Sequence, residues 1–217
     1  MEPIFAAVLA GDLSQITAAA AAQRMEEDLL VPGVHWLYRG DTPLHLAAAA
    51  LRYDAARALL AAGAPVNAVN RRGAAALHYA CDPRPLSSRW DPDTQRRFIE
   101  LLVSAGATVD RPDRGGVTPL HRAVRARSPA AVAALLSAGA DPRAATGKAG
   151  STPLHLAVAP TGAGGTAGTG ELQLEIVRML LDAGATLADV DHHGVAVADR
   201  IQSPALRSAL AAERPST

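Results

Sequence analysis

Histidine is the residue type in this chain with the widest chemical use, and four of the seven histidines recur at a regular spacing. They are separated by 33, 43 and 34 residues: His45, His78, His121 and His155. One histidine per repeating unit does not converge on a single point, and no cysteine or carboxylate accompanies them at metal-ligand spacing. The pattern therefore predicts neither a metal centre nor a bound cofactor.

Other features of the sequence exclude further classes of protein. It contains no nucleophile elbow and no glycine-rich phosphate loop. The 21 basic residues balance the 21 acidic ones, and seven aromatic residues are few, which argues against a nucleic-acid partner. The absence of an 18-residue apolar run and of a basic leader argues against a membrane protein and against secretion through a cleavable signal peptide, and leaves secretion by another route open. The single cysteine, Cys81, allows no internal disulfide, so we expect a cytoplasmic protein.

The regular histidines belong to a phrase, Thr-Pro-Leu-His, that stands complete at 42–45, 118–121 and 152–155. A Leu-Leu pair and a Gly-Ala step follow each copy. Threonine can cap a helix whose first residue is proline, and glycine can end the next helix in a left-handed conformation. Each copy thus predicts two short helices, which are too short to be stable alone and must stack on neighbouring pairs.

The opening Gly-x-Thr-Pro-Leu-His-x-Ala and the Leu-Leu-x-x-Gly-Ala ending resemble the ankyrin repeat family, above all in the copies that open at Gly40, Gly116 and Gly150. The resemblance implies an all-α ankyrin-repeat solenoid of stacked helix-turn-helix units with β-turn or hairpin fingers. It implies one domain over 1–213, with repeats at about 1–37, 38–70, 71–113, 114–147 and 148–190, a C-terminal cap at 191–213 and a tail at 214–217. It also implies that the four motif histidines are structural and bond the backbone of neighbouring turns.

The chain departs from the family pattern in several places. The second copy has Ala75 and Ala76 in place of threonine and proline, which should weaken its first helix by about 1 kcal/mol. Insertions at 82–93 and 160–170 occupy equivalent positions two repeats apart, so they should flank a cleft over the third copy. Trp90 in the first insertion is either a contact residue or folds back towards Phe98. We expect the aromatic first finger, 26–40, to seal the end of the stack.

Ankyrin arrays similar to this one bind partner proteins along the concave face that fingertips and first helices form. In this chain residues 71–148 hold 13 basic and 7 acidic residues, whereas both flanking segments are acidic. We therefore predict a monomeric, non-catalytic module that docks a protein with an acidic patch, as an inhibitor, immunity factor, adaptor or effector. The predicted contact residues are Asp41, Arg71, Arg72, Tyr79, Arg84, Trp90, Arg114, Arg122, Arg125 and Ser151.

Two alternatives remain open from the sequence. One is an enzyme or small-molecule-binding protein whose pocket lies between the insertions at 82–93 and 160–170 and contains Tyr79, Asp82, Arg84 and Trp90. The other is a scaffold that joins two proteins through separate surfaces. The composition, rich in alanine and arginine with Lys148 as the single lysine, is typical of a GC-rich bacterial genome.

Overall fold

The computed structural model describes residues 3–16, 29–30, 36–82, 90–159 and 170–212. Their helices are α1 (Pro3–Ala10), α2 (Pro43–Ala49), α3 (Tyr53–Ala61), α4 (Ala76–Ala80), α5 (Pro92–Ser104), α6 (Pro119–Arg125), α7 (Pro129–Ser137), α8 (Pro153–Val158), α9 (Gly170–Asp182) and α10 (Pro204–Ala212). Short 3₁₀ turns cover Leu13–Gln15 and Val197–Arg200. Two-residue strands β1 (Leu29–Leu30) and β2 (Trp36–Leu37) pair antiparallel in the first finger.

The helices form pairs that stack into two rows. An inner row contains α2, α4, α6 and α8, and an outer row contains α3, α5, α7 and α9. Each inner helix packs against the outer helix that follows it and against the inner helices before and after it. The predicted all-α solenoid of helix pairs is confirmed.

The stack is held by a continuous apolar core of mostly small side chains. Each full pair buries one leucine of its Leu-Leu step completely: Leu59, Leu102, Leu135 and Leu180. A fully buried leucine contributes about 2 kcal/mol. Because the remaining inner positions are largely alanine, the helices approach closely enough for every pair to share its core with its neighbours.

The local signals of the sequence explain where most helices begin and end. Thr42, Thr118 and Thr152 precede helices whose first residue is proline. Each outer helix is followed by a glycine with positive φ, as at Gly63 and Gly139, both at 85°. Helix α4, which has alanine at both starting positions, spans only five residues.

The turn between the two helices of a pair is built in two ways. The first and third pairs use a non-glycine residue in the left-handed region, Leu51 (φ 49°) and Arg127 (φ 58°). The second and fourth pairs contain the insertions, of which 83–89 and 160–169 lie outside the described residues. In these two pairs a glutamine side chain of the outer helix donates a hydrogen bond to a backbone carbonyl near the end of the inner helix of the same pair. Gln95 Nε2 donates to Ala80 O (2.9 Å), and Gln173 Nε2 donates to Ala157 O (2.8 Å).

Candidate functional site

The fingers are held in register by backbone hydrogen bonds between neighbouring repeats. The bonds in the described fingers are Arg71 N to Arg39 O (3.0 Å), Arg114 N to Arg72 O (2.9 Å), Gly147 N to Gly115 O (3.0 Å) and His192 N to Ala149 O (3.1 Å). A side chain at Gly116 would place its Cβ 2.1 Å from Gly147 N. The fingertips therefore form an ordered row whose spacing the backbone fixes.

Basic side chains project from this row. Arg71, Arg114 and Lys148 are exposed, and within the described part of the chain none has an ion-pair partner. The guanidinium of Arg72 lies 3.9 Å from the centre of the Tyr38 ring. We call Arg71, Arg72, Arg114 and Lys148 the basic ridge. Sequence reasoning missed Lys148, although it stands two residues before a finger glycine, as Arg71 and Arg114 do.

The other predicted basic contacts are already paired within the protein. Arg122, 13% exposed, lies 3.2 Å from Asp113 and 3.7 Å from Asp82. Arg125 lies 3.2 Å from Asp82, which thus joins two arginines of the next repeat. These carboxylates offset the positive charge of the inner helix α6. The interaction links the second and third repeats. Among the predicted basic contacts that the structure describes, it leaves Arg71, Arg72 and Arg114 without an ion-pair partner in the described residues.

Three predicted contact residues are buried, which removes them from the binding surface. Asp41 is 0% exposed and accepts hydrogen bonds from the Tyr79 hydroxyl (3.0 Å) and from Asn70 Nδ2 (2.9 Å). Tyr79 is 2% exposed, and burial together with the neighbouring Asp41 raises its pKa. Ser151 is 5% exposed, and its carbonyl oxygen accepts from His121 Nε2 (3.0 Å). These groups hold adjacent repeats together. A sequence pattern alone does not separate such residues from exposed ones. The predicted contact Arg84 lies outside the described residues.

The four motif histidines make the same pair of bonds in every repeat. His45 Nδ1 accepts from Thr42 N (3.0 Å), and its Nε2 lies 3.0 Å from Ala74 O of the next repeat. Since a carbonyl oxygen can only accept, Nε2 carries the proton and the ring is neutral. The Nε2 atom of each other motif histidine bonds a carbonyl oxygen in the same way: that of His78 bonds Val117 O, that of His121 bonds Ser151 O, and that of His155 bonds Val195 O. Burial, with the Arg122 charge nearby, lowers the pKa of His78 to about 4.

The described residues contain no cluster of three or more His, Cys, Asp or Glu side chains that could hold a metal ion. Cys81 is completely buried, and burial raises the pKa of its thiol. Because a thiolate is the reactive form of cysteine, this residue packs as a small apolar group.

Trp90 lies at the start of α5 in a fixed position. Its indole Nε1 donates to Gln95 Oε1 (2.7 Å), which also accepts from the Ser128 hydroxyl (2.7 Å). Phe98, the alternative neighbour, packs edge-on against Tyr53. The half-buried indole also lines a groove.

This groove, of about 340 Å³, crosses the outer face of the third helix pair. We call it the Trp90 groove, and its lining residues are Trp90, Pro92, Pro129, Ala130, Ala133, Leu172, Glu175 and Met179. Its lining includes residues at the described ends of the two insertions, Trp90 and Pro92 on one side and Leu172 on the other. Tyr79 and Asp82, which the catalytic alternative grouped with Trp90, bond Asp41 and the two arginines of α6 instead and do not line the groove.

Comparison with known proteins identifies the family. A model of three tandem ankyrin repeats matches residues 94–193, and a single ankyrin repeat model matches 39–71, which together cover more than half of the chain. The chain belongs to the ankyrin repeat family.

Relatives share only part of their length with this chain. The B-cell lymphoma 3 protein homolog of Mus musculus is 36% identical over 117 residues, 54% of this chain and 25% of that protein. The nuclear factor NF-kappa-B p105 subunit of Gallus gallus is 33% identical over 120 residues, 54% of this chain and 11% of that protein. Inversin of Mus musculus is 34% identical over 136 residues, 61% of this chain and 11% of that protein. The chain therefore spans a quarter or less of these relatives.

None of the helices in the described ranges has the length and apolar character that a membrane crossing requires.

Proposed function

We propose that this protein is a non-catalytic interaction module that binds an acidic patch on a partner protein through the basic ridge and the adjoining concave face. The observation that carries the proposal is the row of exposed basic side chains at Arg71, Arg114 and Lys148, which have no ion-pair partner among the described residues. Membership of the ankyrin repeat family supports a protein partner.

The physical basis is charge presented on a rigid support. Backbone bonds between fingers fix the spacing of the ridge, so binding orders few backbone groups. Arginine can bond a carboxylate through two parallel N–H groups, and exposed like charges speed the encounter with an oppositely charged surface. The ridge therefore suits a partner with carboxylates spaced along one edge.

The sequence alone supports the domain boundaries, the oligomeric state, the compartment and the role that we propose for this protein. We propose one ankyrin domain with the repeat boundaries given above, acting as a monomer in the cytoplasm of a GC-rich bacterium. The role would be that of an inhibitor, immunity factor, adaptor or effector. The balanced total charge and the few aromatic residues support a protein rather than a nucleic acid as the partner.

Charge reversal on the ridge tests the proposal. The partner is isolated with the wild-type chain, and its Kd is then measured over a range of salt concentrations. The double variant Arg71→Glu, Arg114→Glu should bind at least about tenfold more weakly and show a shallower salt dependence. Arg122 and Arg125 are poor choices for this test because their reversal would place new carboxylates beside Asp82 and Asp113.

A matched control is Arg52→Glu with Arg97→Glu, which changes the net charge equally at exposed positions just before helix α3 and on helix α5 that form no ion pair among the described residues. It should leave the Kd within about twofold at physiological salt. Equal weakening by both double variants would show that net charge alone matters. An unchanged Kd for the ridge variant would exclude the ridge as the binding surface.

A further inference from the structure

We propose that the Trp90 groove is a second docking surface, which binds a partner segment with a large apolar side chain close to a lysine or arginine. The proposal goes beyond the function proposed above, because the groove and the basic ridge lie on different parts of the solenoid and favour partner charges of opposite sign.

The order of fingers and helices along the chain determines where the Trp90 groove lies on the solenoid. Fingers precede the inner helices, and each outer helix runs back from the edge at which its inner helix ends. The groove is lined by residues at the start of α5, by the first half of α7 and by Leu172, Glu175 and Met179 along α9, and α7 packs between the other two helices. It therefore extends from the helix-turn edge along the outer row of helices, whereas the ridge lies on the fingers that precede the inner row, so a partner can reach the groove without touching the ridge.

Contacts within the protein hold one side of the groove in place. Trp90 is tied to Gln95, which is fully buried and also bonds Ser128 and Ala80. Pro92 and Pro129 are the first residues of their helices and have fixed backbone geometry. A binding surface that is already rigid loses little conformational entropy when it is occupied.

The lining determines what the groove can hold. Seven of the eight lining residues are Trp, Pro, Ala, Leu or Met, which favours an apolar side chain. A volume of about 340 Å³ is at the low end of the range, roughly 300 to 1,000 Å³, of sites that enclose whole small molecules. One or two side chains of a peptide therefore match it in size.

Glu175 supplies the charge selectivity. Its carboxylate is exposed and, among the residues that the structure describes, has no ion-pair partner. Glu171 lies one turn earlier on the same helix and is also exposed. A basic residue of the partner, next to the apolar side chain in the groove, would meet this negative edge.

Peptide selection on the full 217-residue chain tests the proposal. A displayed library of random 12-residue peptides is enriched on the wild-type protein, and the Kd of the enriched peptides is measured by fluorescence anisotropy. We expect sequences with Leu, Met, Phe or Trp within a few residues of Lys or Arg. Ala133→Trp, which fills the groove from a half-exposed position, should weaken binding at least about tenfold. Glu175→Lys should weaken it similarly and shift a repeated selection towards acidic peptides.

Two controls separate this result from unfolding and from the first proposal. Asp182→Lys makes the same charge change at the far end of the same helix, outside the groove, and should retain most of the affinity. The ridge variant Arg71→Glu, Arg114→Glu should bind the selected peptides as the wild type does. Melting temperatures of all variants, followed by circular dichroism, show whether each one is folded.

Several outcomes would overturn the proposal. One is that no peptide is enriched, or that the enriched peptides lack a basic residue or bind Ala133→Trp unchanged. Another is a dimer in sedimentation experiments that Ala133→Trp dissociates, which would make a second copy the occupant. A third is binding that occurs only after deletion of 161–168, which would make that segment the occupant.

Discussion

At the scale of single residues, the groups with the most chemical potential join repeats to one another. His45 links the start of its own helix to Ala74 of the next repeat, and the buried Asp41 receives the Tyr79 hydroxyl across the same boundary. Each such group is hydrogen-bonded on both sides, so its burial is not destabilising. The hydrogen-bonding groups of these side chains therefore hold adjacent repeats together.

The neutral state of His78 predicts a dependence of stability on pH. Its pKa falls from the ordinary 6.5 to about 4 in the folded protein. Between these values the unfolded chain binds a proton that the folded chain does not, so the free energy of unfolding decreases as the pH falls from 6.5 to 4. Over this pH range the difference in pKa of His78 lowers the free energy of unfolding by about 3 kcal/mol. Burial also lowers the pKa of His121, so this residue too makes the free energy of unfolding decrease as the pH falls.

Urea unfolding at several pH values between 4 and 7 measures this effect. His78→Gln should be less stable than the wild type at pH 7 but should show a smaller loss of stability on acidification. Ala76→Gly, which weakens the same helix without removing a titratable group, should keep the wild-type slope. The same slope in His78→Gln as in the wild type would contradict the assignment of the effect to His78.

At the scale of the elements, the sequence predicts helix starts well and inter-helix turns poorly. Thr118 and Pro119 begin a helix through bonds within four residues, so a short motif is sufficient to identify it. The left-handed turn at Arg127 is different, because its guanidinium bonds Ala157 O and Ala159 O of the next repeat. Gln95 likewise depends on Ala80, fifteen residues earlier. Such partners can be identified only once the helices are stacked.

The second repeat offers a direct test of helix capping. Ala75 is buried at the position that Thr42 and Thr118 occupy in other repeats, where a threonine hydroxyl lies 2.9 Å from the motif histidine Nδ1. Ala75→Thr should therefore stabilise the protein by about 1 kcal/mol. Ala75→Val adds a branched side chain of nearly the same shape without the hydroxyl and should not. Chemical denaturation of the three proteins gives the comparison, and equal stability of the Thr and Val variants would show that the hydroxyl makes no effective cap.

At the scale of the whole molecule, the distribution of charge could be predicted only in part. The sequence correctly places an excess of basic residues in the middle of the chain. It does not reveal that Arg122 lies between Asp82 and Asp113, because Asp82 is 40 residues away in sequence. Pairing removes charge from the inner helix and leaves it at the fingertips. The Trp90 groove is similar, since it joins residues from three repeats.

The linear arrangement also predicts how the chain opens. Each pair contacts only its neighbours, so stability should depend on position along the stack. Helix α6 lies between α4 and α8 and buries five of its seven residues, whereas α10 buries only Leu206 and Leu210. In native-state hydrogen exchange the amides of α10 should exchange at least about tenfold faster than those of α6.

Mass spectrometry of peptic fragments would measure these rates, and Ala75→Thr provides an internal check. If the repeats are coupled mainly to their neighbours, this variant should slow exchange most in α4 and then in α2 and α6, with little effect on α10. Equal slowing everywhere would mean that the whole stack opens as one cooperative unit. In that case the contacts between repeats, such as the His45 to Ala74 bond and the Arg122 to Asp82 pair, would outweigh the differences in stability within repeats.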